Sequence, residues 1–280
     1  MPRLTTSREH VKFPFMDQLV FLKLGGSLIT DKTKPYTPRL EVLADLAAQV
    51  EAARRELPGL QLILGHGSGS FGHAAASRYQ TRKGVSGPEA WAGFAEVWYQ
   101  ASALDRLVIN SLHEAGSPAV ALAPVASVSA RDGQVAAWDL GPLRAALANG
   151  LLPVVYGDVI FDGQRGGTIL STEDLFTHLA RQLRPRRILL AGQEAGVWAD
   201  YPRCTQLLGE MTPEVLDQKA EGLEGATGMD VTGGMQSKVT QMLALVSELP
   251  DLEVLIFSGL GPGNVRRALA GEAPGTCLHR

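Results

Sequence analysis

The chain has 280 residues, 45% of them hydrophobic and 20% charged, a globular composition that excludes global disorder. Lys plus Arg total 26 and Asp plus Glu 29, so a formal net charge of −3 gives no electrostatic case for nucleic acid or an anionic membrane surface. Two cysteines, Cys204 and Cys277, exclude a disulfide framework and a four-cysteine zinc site.

Residues 1–17 read as a polar extension carrying Arg3, Arg8, Glu9, His10 and Lys12. They lack the apolar run of a secretory signal and are assigned no role. The longest stretch without Asp, Glu, Lys or Arg, Leu57 to Ser77, contains Pro58, two histidines and several glycines. It does not read as a spanning helix, and a cytoplasmic protein is expected. Residues 18–280 read as the folded domain.

In chain order, Leu19-Val20-Phe21-Leu22 is a short buried strand. Arg39 to Leu57 carries Leu40, Leu43, Leu46, Ala47 and Val50 at a helical period, and Pro58-Gly59 stops it. Leu60 to Leu64 is the next strand. Pro88 to Ala115 is a long helix closed by Gly116. Ala119–Ala123 and Leu152–Tyr156 are strands, with a helix from Pro142 to Asn149 between them. Ser171 to Leu183 is a helix with Ser171 at its N-cap and Asp174 at the capping-box distance. Then come a strand at Arg187–Leu190, helices at Pro213–Lys219 and Met235–Leu249, a strand at Val254–Phe257 and a helix at Val265–Ala270. Gly222 to Gly234 is a loop. Alternation of strands and helices predicts an α/β fold with a mostly parallel sheet and helices on both faces.

Ligands of open α/β sheets sit at the carboxyl ends of strands, so the residues after each strand carry the chemistry. The first strand leads into Lys23-Leu24-Gly25-Gly26-Ser27 and then Thr30-Asp31-Lys32. The second leads into Gly65-His66-Gly67-Ser68-Gly69-Ser70-Phe71-Gly72-His73. Thr227-Gly228-Met229-Asp230-Val231-Thr232-Gly233-Gly234-Met235 precedes a helix that carries Lys238. One glycine-rich turn is an ordinary βα connection. Three, with Lys23, Lys32 and Lys238 among them, predict one anion site, because glycine lets amides approach phosphate oxygens and helix N-termini add positive potential. Lys23 and Lys32 lie nine residues apart across a Gly-Gly turn that can fold back on itself.

Spelling removes several rivals. There is no G-x-x-x-x-G-K-[ST] and no G-x-S-x-G, and the six histidines form no zinc spacing. Gly67-x-Gly69-x-x-Gly72 matches the dinucleotide fingerprint, but the acidic residue expected about 20 positions later at a strand end is missing.

At these three segments the sequence resembles the amino-acid kinase superfamily, and within it the isopentenyl phosphate kinases. Tyr156-Gly157-Asp158-Val159 and Ser171-Thr172-Glu173-Asp174-Leu175 match in the same order, more weakly. The resemblance implies a three-layer αβα sandwich with an N-terminal acceptor-binding half and a C-terminal nucleotide-binding half. It implies ATP and Mg2+ as cofactors, isopentenyl phosphate as the phosphorylated acceptor and a homodimer. On that resemblance, Lys23, Lys32, Lys238 and His73 are the expected catalytic residues. Lys23, Gly25, Gly26, Ser27, Ser68, Gln193, Gly233, Gly234 and Lys238 are expected on ATP. Gly67, Ser68, His73, Gly157 and Thr172 are expected on the acceptor. No metal-ligating side chain is assigned. His73, the second histidine of its motif, is expected to hydrogen-bond the acceptor phosphate. His66 reads as a hydrogen-bonded core histidine.

The sequence departs from the family at three places. Ser68 replaces the central glycine of H-G-G-G. Thr172 and Glu173 replace the Gly-Asp of Ser-Gly-Asp-Asp. Gly192-Gln193-Glu194-Ala195-Gly196-Val197 replaces Thr-Asp-Val-Asp-Gly-Val. The rivals are a fosfomycin kinase-like enzyme, a carbamate or acetylglutamate kinase, a non-catalytic nucleotide sensor on the same fold, and a nicotinamide-dependent dehydrogenase. Trp91, Phe94, Trp98 and Ala101 share a 3–4 spacing that fits core packing more readily than an acceptor pocket.

Overall fold

The computed structural model describes residues 19–214 and 233–280, without the side chains of His73 and Ala74. Residues 1–17, most of the Pro213–Lys219 helix, and the Gly222–Thr232 part of the third glycine-rich segment therefore lie outside the described residues.

Among these, β1 (Leu19–Leu24) runs into the single turn α1 (Gly26–Ile29), and α2 (Leu40–Glu56) leads to β2 (Gln61–His66). Next come α3 (Gly69–Tyr79) and the 28-residue α4 (Gly87–Glu114). The middle of the chain holds β3 (Ala119–Ala121), α5 (Pro124–Ser127), β4 (Val128–Arg131), β5 (Gln134–Trp138), α6 (Gly141–Ala148), β6 (Leu152–Tyr156), β7 (Asp158–Asp162) and β8 (Gly166–Leu170). The rest is α7 (Thr172–Leu183), β9 (Arg187–Gly192), β10 (Glu210–Met211), α8 (Gly233–Glu248), β11 (Glu253–Ser258), α9 (Asn264–Leu269) and β12 (Gly275–Leu278).

Eight strands form the central sheet in the order β10-β12-β11-β9-β1-β2-β6-β3. All its pairs are parallel except β11 with β12. Strand order reverses at β1, whose neighbours are β2 and β9, and a crevice for ligand opens where strand order reverses.

The apolar runs are unbroken because both sheet faces are covered. Successive side chains of a strand point to opposite faces. Val20, Leu22 and Leu24 of β1 join Leu43, Leu46 and Val50 of α2 and Leu104 and Val108 of α4 in one core. Leu19 and Phe21 join Phe176 and Leu179 of α7 and Met242 and Val246 of α8 in the other. Phe21 and Phe176 meet at 5.0 Å between ring centroids. This is the αβα sandwich expected. The capping box at Ser171 is present, with Asp174 N donating to Ser171 Oγ and Ser171 N to Asp174 Oδ2.

A second sheet, β5-β4-β7-β8, did not follow from the periodicity reading. Its strands have four or five residues, too short for a periodic signal. The usable cue is Asp132-Gly133 between β4 and β5. Both residues have positive φ, 52° and 75°, as a two-residue hairpin turn requires. Asp162 secures the end of this sheet by accepting from the amides of Asp132, Gly133, Gln164 and Arg165.

Candidate active site

Three chain segments converge at the carboxyl ends of β1 and β2. The Gly25-Gly26 turn and the Gly67-Ser68-Gly69 turn touch backbone to backbone. A Cβ on Gly26 would stand 2.5 Å from Gly69 N, and one on Gly67 would stand 2.9 Å from Gly26 N. Gly69 also has φ +50°. Glycine at Gly26, Gly67 and Gly69 is therefore what lets the two turns interlock. Thr30 clamps them further, because its Oγ1 donates to Gly26 O and accepts from Ser70 N at 2.9 Å.

Lys23 lies near the end of β1 and is only 8% exposed. Its Nζ donates to Glu173 Oε1 on the first turn of α7, 150 residues away, in a short ion pair. Burial alone would raise the Glu173 carboxyl, but Lys23 and then Lys238 reverse this and hold it below the usual carboxylate range. The Lys238 ammonium is pushed below its usual range, first by burial and then by Lys23, with Lys32 adding to the repulsion and Glu173 opposing it. Lys23 and Lys32 thus both act on Lys238, and Glu173 is the carboxylate shared by Lys23 and Lys238. Three cations with one carboxylate leave an excess of positive charge, which suits a polyphosphate. In the sequence Glu173 stands within the weakly matching Ser171–Leu175 segment, as one of its departures and with no role of its own. Its place right after an N-cap at a strand end was the signal available.

The other expected residues divide. Gly25 donates its amide to Ala191 O. Gly26 and Ser27 open α1, where first-turn amides have no intrahelical acceptor. Gln193 is exposed, and its Nε2 donates to Ser27 O at 2.7 Å. Gly233 and Gly234 open α8, which carries Lys238. Gly67 spends its amide on Leu24 O at 3.0 Å and Gly157 spends its amide on His66 O at 3.2 Å. Thr172 turns inward: it is 1% exposed and its hydroxyl donates to His66 O at 2.6 Å. No acceptor for Ser68 N is recorded among the described residues. His73 lies on α3, one turn from its start.

Asp174 pins the site's rim. It accepts from Arg82 Nη2 and Gln241 Nε2, both at 3.2 Å, besides closing the capping box. On α4, Phe94 and Ala101 are buried as the spacing predicts, but Trp91 and Trp98 are 37% and 41% exposed.

Asp158 follows Gly157 and is almost fully buried. Burial pushes its carboxyl up to about 7, Asp105 adds to the rise, and the amides of Val159 and Val125 oppose it. The unfolded chain releases this proton near 3.8, whereas the folded chain keeps it to about 7. The associated stability is whole below the lower value and is lost as pH rises through the upper one. Asp158→Asn should therefore melt at a relatively higher temperature than the parent at about pH 8 than at about pH 5. A constant difference between the two melts across that range would show that Asp158 is ionised throughout.

The sequence pattern of the amino acid kinase family matches residues 18–258. The chain belongs to the amino acid kinase family. It is a phosphotransferase of the α/β kind that this family builds. It is 32% identical over 268 residues to an isopentenyl phosphate kinase of Methanothermobacter thermautotrophicus, covering 91% of this chain and 96% of that protein. It is 33% identical to the isopentenyl phosphate kinase of Haloferax volcanii, covering 93% and 98%. A solved structure of an isopentenyl phosphate kinase superposes with a TM-score of 0.78 at 30% identity, covering 93% of this chain and 99% of that one. Membership in this family removes the dehydrogenase reading of Gly67-x-Gly69-x-x-Gly72. Among the described residues, no helix is long and apolar enough to cross a membrane.

Proposed function

We propose that this family member transfers the γ-phosphoryl group of ATP to the phosphate of isopentenyl phosphate, giving isopentenyl diphosphate and ADP. The observation that carries the reading is the Lys23–Glu173–Lys238 cluster, with Lys32 beside it, where the two glycine turns meet. Isopentenyl phosphate kinases about 30% identical over more than nine-tenths of the chain point to the acceptor.

A phosphate monoester has its second pKa near 6, so at neutral pH the acceptor already carries its nucleophile as an anionic oxygen. The enzyme therefore needs no general base. A new P–O bond forms to the acceptor oxygen while the bond from the γ-phosphorus to the β-phosphate bridging oxygen breaks. Positioning and neutralisation of charge supply the catalysis. Lys23 and Lys32 face the transferred group, and Lys238 holds the β- and γ-phosphates from the start of α8. The amides of Gly26 and Ser27 serve the nucleotide, and Gln193 keeps Ser27 in place. Mg2+ would arrive with ATP, held mainly by substrate phosphates and water, and would supply charge neutralisation there.

His73 sets the acceptor class, with its imidazole donating to the acceptor phosphate. The apolar group of Ala75, Val85, Phe94, Val97 and Val159 packs apart from the two main cores as a small core of its own on the acceptor side. It begins two residues beyond His73 on α3. The acceptor half is thus the β1–α4 side, and the nucleotide half the side of β9 and α8. A cytoplasmic homodimer completes the reading. The exposed Trp91, Trp98 and Tyr99 of α4, with Phe161 stacked on Trp91, supply its candidate contact face.

ADP release should be screened over isopentenyl phosphate, dimethylallyl phosphate and fosfomycin. The first should be used with the highest kcat/KM, and preference for fosfomycin would move the assignment to a phosphonate kinase. His73→Ala should lose about 10- to 150-fold in kcat/KM toward isopentenyl phosphate, the worth of one charge-assisted hydrogen bond. KM for ATP should hardly change, and His73→Asn should recover part of the loss. Unchanged acceptor efficiency in the alanine variant would favour a carboxylate- or carbamate-type acceptor.

A further inference from the structure

β2 ends on His66, whose side chain is wholly buried behind the Gly67-Ser68-Gly69 turn. Its Nδ1 lies 3.2 Å from Gly67 O. Its Nε2 lies 3.2 Å from Oδ1 of Asp105, a 7% exposed residue on α4. The Tyr156 ring stacks on the imidazole at 5.3 Å and 13°. Asp158, the other buried acid here, has its oxygens on the amides of Val125 and Val159.

A carbonyl oxygen only accepts, so Nδ1 carries a hydrogen and donates it to Gly67 O. Nε2 and Asp105 then share the remaining hydrogen. Either the ring carries it and donates to the carboxylate, or the carboxyl carries it and donates to the ring. Both forms keep Nδ1–H on Gly67. A trans peptide sets its C=O and N–H in opposite directions. With Gly67 O held toward the buried ring, the Ser68 N–H of the same peptide faces away from the interior, and among the described residues nothing accepts from it.

We infer that the His66–Asp105 pair is a positioning element of the acceptor site, holding the Gly67 carbonyl inward so that the Ser68 amide is presented to the acceptor phosphate. The inference rests on the proposed reaction for the identity of that phosphate. It makes Asp105 a functional residue that sequence reasoning did not single out. The cue was one acid among Leu104, Val108, Ile109 and Leu112 on a buried helix face.

Removing one member of the pair leaves the other buried without a partner, so the pair is best removed together. His66→Leu/Asp105→Leu should fold, raise KM for isopentenyl phosphate by about tenfold, the lower end for a hydrogen bond to a charged group, and leave KM for ATP near the parent value. His66→Asn/Asp105→Asn returns an amide donor to the place of Nδ1 and should restore part of the acceptor KM. Equal effects on both substrates, or none on either, would reduce the pair to core packing. Should the leucine variant fail to fold, nitrogen NMR of the parent decides. His66 Nδ1 should be protonated at neutral pH, and the Ser68 amide signal should move when isopentenyl phosphate is added. An unprotonated Nδ1 or an unmoved Ser68 amide would overturn the inference. If the parent releases no ADP with isopentenyl phosphate, the substrate assignment falls by itself, and the Nδ1 signal still reports on the peptide anchor.

Discussion

Lys238→Ala should lower turnover by about 100- to 1000-fold, the usual cost of losing one preorganised electrostatic stabiliser of a transition state. Lys238 is held in the folded chain against burial and against the charges of Lys23 and Lys32, with Glu173 opposing them. An ammonium in that position is unfavourable until an anion arrives. The bound polyphosphate, and most of all the charge on the transferred phosphoryl group, relieves it. The same argument predicts opposite movements of activity and stability. Without ligand, the alanine variant should melt no lower than the parent, because repulsion among the lysines is removed with the side chain. Steady-state kinetics and thermal melts on one preparation check both. Turnover within about threefold of the parent, a small barrier change, would make Lys238 an ordinary solvated charge.

Glu173→Gln should cost both activity and stability. The carboxylate is the partner of Lys23, which is nearly buried, and it faces Lys238 as well. Glutamine keeps the shape and an acceptor oxygen but removes the charge. Breaking a buried pair by neutralising one side costs about 3–5 kcal/mol when the other charge stays in place. The melting temperature should fall by several degrees, and kcat by about 100-fold, as Lys23 turns away from the position it holds. Mg2+-ATP should raise the melting temperature more in this variant than in the parent, since the phosphates return the missing negative charge. Glu173→Asp should retain more activity than the glutamine variant, because the charge remains although the side chain is shorter. Turnover of Glu173→Gln equal to the parent would place the pair outside the chemistry.

These two expectations share one physical cause. The cluster is built with too few negative charges of its own, and the substrates complete it. Lys23 and Glu173 are held by a β-strand and by a helix fixed through its capping box, so little side-chain rearrangement is needed when the phosphates arrive.

Much of this was legible in the residues alone. The sandwich followed from buried runs such as Leu19–Leu22 alternating with helical periods such as Leu40–Val50. Both are short-range patterns fixed by the geometry of strand and helix. The capping box at Ser171 joins residues three positions apart, so its partners are found within one turn. The glycine turns with Lys23, Lys32 and Lys238 pointed to the anion site proposed here, because amides that reach phosphate need glycine nearby in sequence. The partnerships inside the site were decided only by the tertiary structure. Glu173 meets Lys23 across 150 residues, and Asp105 meets His66 across 39. Nothing in local periodicity says which buried acid faces which cation. Strand order and the closure of two core faces do that, placing β1 between β2 and β9 with α4 on one side and α7 on the other. The same closure turned Thr172 inward to His66 and took up the amides of Gly67 and Gly157, while the Ser68 amide has no partner among the described residues. A backbone amide is available to a ligand only if no neighbour in the fold has claimed it, and that depends on contacts between segments far apart in the chain.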